Sequence, residues 1–168
     1  TLALSGEDGV LVEKFRTAVG STHKLSKKPQ SRGYPNGKEV TRVSFSSKKM
    51  VFDLAKLGVT ATKSKDGMAG DSMVENRHWW RGCVDGDGWI GISRSGTRFI
   101  GLTGTMQVCD QFLWFTNTFA PSGANVTRNH SIWKVVLTGK TAKYVVDRLY
   151  TGSTVSLPRK RELAARVL

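Results

Sequence analysis

The stretch Trp80-Arg81-Gly82-Cys83-Val84-Asp85-Gly86-Asp87-Gly88 decides how the rest of the chain is read. Gly82 and Gly86 stand four residues apart, on one face of a helix, and a face without side chains lets a second backbone come close. Each glycine costs a helix about 1 kcal/mol relative to alanine, so a pair of them asks for a packing reason. Asp87 falls in the last turn, just ahead of the stop at Gly88. A carboxylate there opposes the helix dipole by roughly a few tenths of a kcal/mol unless a cation sits against it. A calcium loop is the rival reading of this acidic run. It fails on position, because Trp89, Ile90 and Gly96 stand where ligands or the turn glycine belong. A purely structural acidic helix end remains the plain alternative.

Working outward, a helix from about Glu75 to Asp87 leads into a strand, Trp89 to Ser93, and a turn at Ser95-Gly96. The strand Arg98 to Thr103 follows, with Ile100 and Leu102 inward, and then a helical stripe of Phe112, Phe115 and Phe119. A strand at Trp133 to Leu137 and a helix with Tyr144 to Leu149, opened by Lys140, complete the series. The N-terminal part repeats it. Leu2 and Leu4 alternate as a strand end echoed by Ile100 and Leu102, and Gly6-Glu7-Asp8-Gly9 introduces the stripe Val12, Phe15, Val19. Thr22 to Lys28 reads as a strand, Pro29 to Gly37 as a loop, and Val40 to Ser46 as a strand with Val43 and Phe45 on one face. A helix from Ser47 runs through Met50-Val51, Leu54 and Leu57 to Gly58. Phe112, Phe115 and Phe119 match Val12, Phe15 and Val19 at a constant offset, and 133–137 parallels 41–45. The chain is therefore a duplication of an α-β-β-α-β-β-α unit. Residues 1–59 form the first repeat, 60–73 a polar linker and 74–168 the second repeat. The first repeat lacks the opening helix and strand, which the comparison places before Thr1.

The composition narrows the function. The 168 residues include 26 Lys+Arg against 13 Asp+Glu, a formal charge of +13, with 39% hydrophobic residues and five Trp. Such a chain buries a core, and its charge points to a polyanion, most often nucleic acid. No apolar run is long enough for a membrane span, and no signal peptide opens the chain. Cys83 and Cys109 read as buried thiols, which fits an intracellular setting. His23, His78 and His130 lack metal spacing, and His130 suits a hairpin turn. Trp79 and Trp80 read as core or helix-interface residues.

The segment from Trp80 to Gly88 resembles the motif of the LAGLIDADG homing endonucleases, with Arg81 in place of the usual alanine and Cys83 in place of a common aliphatic. The resemblance covers nearly the whole chain as two repeats. It implies an α+β fold of tandem αββαββα repeats, with two antiparallel saddle-shaped sheets covered by helices on one face. It implies a site-specific double-strand DNA endonuclease, in which two motif helices pack side by side and each brings its last aspartate to a shared centre. Carried over by position, Asp87 is the catalytic ligand for Mg²⁺, Asp85 is supportive, and Gly82 and Gly86 pack the paired helices. Lys140 and Lys48 match the family's lysine beside the active centre. A glutamine common at the end of the second strand is missing, since Gly104 and Gly6 occupy that neighbourhood.

The outward strand residues Lys24, Ser26, Lys28, Arg42, Ser44, Ser93, Arg94, Arg98, Thr103, Thr127, Asn129 and Lys134 are the expected contacts to double-stranded DNA. A second motif helix is expected from an upstream segment or a separate polypeptide. The resemblance also carries mobility of an intron or intein. A non-cleaving binder of the same fold (a maturase or transcription regulator) is the alternative, and a degenerate remnant a further one.

Overall fold

The computed structural model describes residues 1–29 and 39–168, so the expected loop lies, from residue 30 on, outside the described residues. The chain forms two compact units: 1–47 with 157–159, and 48–156 with 160–168. Residues 60–73, read above as a linker, fall inside the second.

The first unit holds β1 (Leu2–Ser5), α1 (Val10–Ala18), β2 (Ser26–Lys28) and β3 (Val40–Val43). Its antiparallel sheet has the order β1-β3-β2. Thr41 and Val43 are buried on one side, with Val12 of α1 in the core. Only Ser26 to Lys28 of the expected 22–28 strand pairs, opposite Val40 to Arg42 of β3. Ahead of it the Ser21 hydroxyl accepts from the His23 N–H in a local turn, which diverts the backbone from a strand.

The second unit contains α2 (Lys48–Lys56), α3 (Lys63–Asp66), α4 (Arg77–Asp87), β4 (Gly88–Ile92), β5 (Arg98–Gly104), α5 (Met106–Asn117), β6 (Thr127–Asn129), β7 (Ile132–Thr138), α6 (Gly139–Tyr150) and, from Lys160 on, α7 (Pro158–Val167). The sheet order is β4-β5-β7-β6, antiparallel throughout. This is the order of the smaller sheet with one strand added at the β4 edge. The repeat is thus visible in topology, with a register correction. Leu2 pairs with Val43 as Leu102 pairs with Val135, so Leu2 matches Leu102 and not Ile100. That offset is the one relating Val12 to Phe112.

Ile90, Ile100, Leu102, Val135 and Leu137 point to the helix-covered side of the larger sheet. There they join Trp80 and Val84 of α4, Cys109, Phe112 and Phe115 of α5, Val145, Val146 and Leu149 of α6, and Ala164 and Val167 of α7. Each large side chain so buried contributes about 1.5–3 kcal/mol. Trp80 is the hub. Its ring lies 5.4 Å from Phe112 and 5.9 Å from Phe115, and its indole N–H donates to the Val74 carbonyl. Ile92, whose even spacing from Ile90 puts it on the helix-covered side, is 46% exposed where β4 runs out. The segment 60–73 is held in place: Gln111 both accepts from and donates to the Ala69 backbone, at 2.8 and 3.1 Å, and Ala69 lies in the core.

Candidate functional site

Helix α4 starts at Arg77 because Asn76 caps it, its side-chain oxygen accepting from the N–H groups of His78 and Trp79 at 2.8 and 3.3 Å. One stripe is buried: Trp80, Arg81, Val84 and Asp85. The opposite stripe, His78, Gly82 and Gly86, is exposed. A Cβ added at Gly82 or Gly86 would meet nothing within 4 Å. The helix therefore has a bare face.

The two acids of the motif part company. Asp85 is buried and accepts from the Tyr150 hydroxyl at 2.7 Å, which ties α4 to α6. Asp87 is exposed at the last helical position. Arg81 is buried and spans α4 to the end of α6, its Nε donating to Val155 O at 2.8 Å and its terminal nitrogen to Leu149 O at 3.3 Å. Burial draws the Arg81 guanidinium below its ordinary value, and Asp85 opposes that shift. The same guanidinium lies 2.8 Å from His78 Nδ1. A guanidinium can only donate, so Nδ1 accepts, and desolvation, then Arg81 and Arg77, hold the His78 imidazole below its usual value.

The turn after Asp87 is fixed by close approach. A Cβ on Gly88 would stand 2.7 Å from the Gly101 carbonyl oxygen and 2.7 Å from Val84 Cα, so only glycine fits where α4 runs into β4. The Thr103 hydroxyl donates to the Asp87 carbonyl at 2.9 Å. The Lys160 ammonium donates to the Gly88 carbonyl.

Lys48 and Lys140 are exposed in the first turns of α2 and α6. On the smaller sheet Ser26 and Lys28 share the open side with Arg42, across from which Ser26 pairs, and Ser44 follows on that side beyond β3. Lys24 is exposed in the coil before β2. On the larger sheet Thr103, Lys134 and Thr127 form one cross-strand row, and Asn129 pairs with Ile132 in the next. Arg94 is exposed in the β4–β5 turn. Ser93 closes that turn, its hydroxyl accepting from the Thr97 N–H at 3.0 Å.

Arg98 is a correction. It pairs with Ile92 and shares its side of β5 with Ile100 and Leu102, which is the helix-covered side. Its Nε donates to the Val167 carbonyl of α7 at 2.7 Å, so it fastens the last helix to the sheet. The residues missed are apolar: Trp89, Phe99 and Val136 lie on the open side. Trp89 rests on the backbone of Gly101 and Phe99 on that of Gly91, where an added Cβ would stand 2.3 and 2.7 Å from the rings. The alternation that buries Ile90 and Ile100 already assigns Trp89 and Phe99 to this side and Arg98 to the other.

With the geometry described, comparison with solved structures decides the architecture. I-SmaMI, a meganuclease crystallised on uncleavable DNA with a TTCT central four, aligns at a TM-score of 0.55 and 11% identity, over 92% of this chain and 73% of that one. The same enzyme on an uncleaved DNA target with calcium ions aligns at 0.52 and 10% identity, over 92% and 74%. This chain has the LAGLIDADG homing-endonuclease fold. At that identity the likeness speaks for the fold alone. No protein-family model and no curated protein sequence matches the chain. Among the described residues no helix is long and apolar enough to cross a membrane.

A divalent cation is part of what the sequence resemblance implies, and the donor chemistry tests it. Asp87 offers a hard carboxylate, the ligand type that Mg²⁺ and Ca²⁺ take. Among the described residues no group of three or more His, Cys, Asp or Glu is placed to hold a metal. Asp87 therefore suits a cation held by one or two carboxylates together with substrate phosphates, and not a cage built from this chain.

Cys109 is not a reactive centre. Cys109 is buried, donates weakly to the Leu102 carbonyl, and has its pKa pushed up to about 11 by burial. Neither cysteine is in a disulfide, and Cys83 lies half-buried on α4.

Proposed function

We propose that this chain binds double-stranded DNA along the open sides of its sheets and acts as a site-specific, divalent-metal-dependent endonuclease. The observation that supports this reading most is the end of α4. There an exposed carboxylate, Asp87, sits beyond a bare Gly82–Gly86 face, while its neighbour Asp85 is buried in a structural bond to Tyr150. Asp87 would hold Mg²⁺, which when bound supplies positive charge to the scissile phosphate and makes water a better nucleophile at neutral pH. Lys140 and Lys48, exposed at helix starts, would offset charge that grows on phosphate. Arg42, Lys28, Ser26 and Ser44 on one sheet, and Lys134, Thr127 and Asn129 on the other, would orient the duplex by phosphate and base-edge contacts. Lys24 and Arg94 add charge at the margins. The surplus of 13 positive charges supports the duplex as partner.

A second motif helix, from an upstream segment or another polypeptide, completes this reading. Among the described residues no strand pairs with the outer edge of β1, where the larger sheet has β4. Met50 and Leu54 of α2, and Leu57 just beyond it, are only half-buried, whereas their repeat mates Ala142, Val146 and Leu149 are 0% exposed on α6, which packs against α4. A non-cleaving DNA binder is the second reading, favoured by the lone carboxylate. Selection from a randomised duplex library, with the second motif helix supplied, separates them. Recovery of cut molecules in Mg²⁺ but not in chelator is expected, and recovery of bound, uncut duplex alone would favour the binder.

A further inference from the structure

We propose that Thr103 and Lys160 are positioning residues for Asp87, locking the carboxyl end of α4 from two different elements. The inference rests on the nuclease reading above and deepens it. A helix ends with four carbonyls that lack intrahelical partners, and such an end frays unless they are taken up. Here Val84 O accepts from the Gly88 N–H. Asp87 O accepts from the Thr103 hydroxyl of β5, and Gly88 O from the Lys160 ammonium of α7.

Lys160 is only 4% exposed, an unusual setting for an ammonium group. Its positive charge lies at the negative end of the α4 dipole, where it offsets the field that disfavours Asp87. The helix that carries Lys160 is itself pinned. Arg98 donates to Val167 O at its far end, and Arg161 donates to Ser156 Oγ and Ser153 O near its start. Gly88 is packed so tightly on Gly101 and Val84 that the backbone after Asp87 cannot slide. The residue is thus held between two carbonyls, each bonded to a separate element of the same unit. The mechanism needs neither side chain to touch DNA. It needs them because a shift of about 1 Å in a catalytic ligand can cost about a hundredfold in rate.

The test, run with the second motif helix supplied, compares the whole protein with Thr103→Val, Thr103→Ser, Lys160→Met and Lys160→Arg. Two readouts are taken: amide hydrogen exchange of peptides covering the last turn of α4, and the single-turnover cleavage rate at saturating protein. Thr103→Val is expected to speed exchange at residues 85–88 and to slow cleavage by about tenfold or more, with a higher Mg²⁺ midpoint. Thr103→Ser should restore both. Lys160→Met should act in the same direction, and Lys160→Arg should lose less. If Lys160→Met no longer melts cooperatively, the Thr103 pair decides. Unchanged exchange in Thr103→Val, or faster exchange with an unchanged cleavage rate, would overturn the proposal. A wild-type protein that never cuts would sink the nuclease reading instead, and exchange would then decide alone whether these residues hold the helix end.

Discussion

Replacing Arg98 with methionine, beside Lys134 with alanine, separates an arginine that holds the fold from a lysine proposed to face DNA. Both sit in strands of the larger sheet and both looked outward by composition. Arg98 instead lies on the helix-covered side and donates to Val167 O at 2.7 Å. A hydrogen bond from a charged donor contributes about 1.5–3 kcal/mol when its loss strands the partner. Arg98 is itself largely exposed, so the lower figure applies. For a chain of this size 1 kcal/mol moves the melting temperature by about 2–4 °C, so Arg98→Met should lower it by roughly 3–6 °C. Lys134 stands in the open row with Thr103 and Thr127. If it meets a phosphate, its loss removes about 0.9 from the slope of log affinity against log salt, roughly a 3.5-fold change between about 50 and 200 mM salt. Fluorescence anisotropy on a labelled duplex at several salt concentrations, with calorimetric melting of the same samples, reads both effects. The reasoning is refuted if Arg98→Met flattens the salt dependence while melting at the wild-type temperature.

Tyr150→Phe should cost about 1–3 kcal/mol in chemical denaturation, because it leaves the buried Asp85 carboxylate without its 2.7 Å hydroxyl donor. His130 holds φ at 56° in the β6–β7 turn, so His130→Gly should raise stability by about 1 kcal/mol. A lower melting temperature for that variant would show the turn to be held by other contacts. Gly82→Ala and Gly86→Ala add a methyl group to open space in this chain, so each should stabilise it by up to about 1 kcal/mol. In a cleavage assay with the second motif helix supplied, the same substitutions should reduce cutting, and full activity would show that the bare face pairs with nothing.

Much of the fold was legible because its signals are local and repeated. The glycine-spaced helix, the Phe112–Phe115 stripe and the alternation of Ile100 and Leu102 each report a side chain's environment directly. Trp80, read as a core or helix-interface residue, is fully buried for the same reason. The register of β1 was not legible, since Leu2 and Leu4 suit either of two offsets and only pairing with β3 chooses between them. Arg98 was misread by residue type, although its even spacing from Ile100 and Leu102 placed it on the covered side. Lys160 could not be found at all. Its role depends on a helix 72 residues away from Gly88 in sequence, and a lysine in a basic tail looks like solvent-facing charge. The segment 60–73 looked like a linker because its anchors are backbone groups, bonded to Gln111 and Leu57.

The central claim is that Asp87 holds the metal that cuts DNA while Asp85 holds the helix. It is tested most directly by Asp87→Asn on a duplex target selected by the wild-type protein, with the second motif helix supplied. Because the change removes one exposed negative charge and no base contact, duplex affinity in chelator should match wild type, and Mg²⁺-dependent cleavage at the step served by Asp87 should be lost. Cleavage by Asp87→Asn at the wild-type rate, or wild-type cleavage that persists in chelator, would contradict the account.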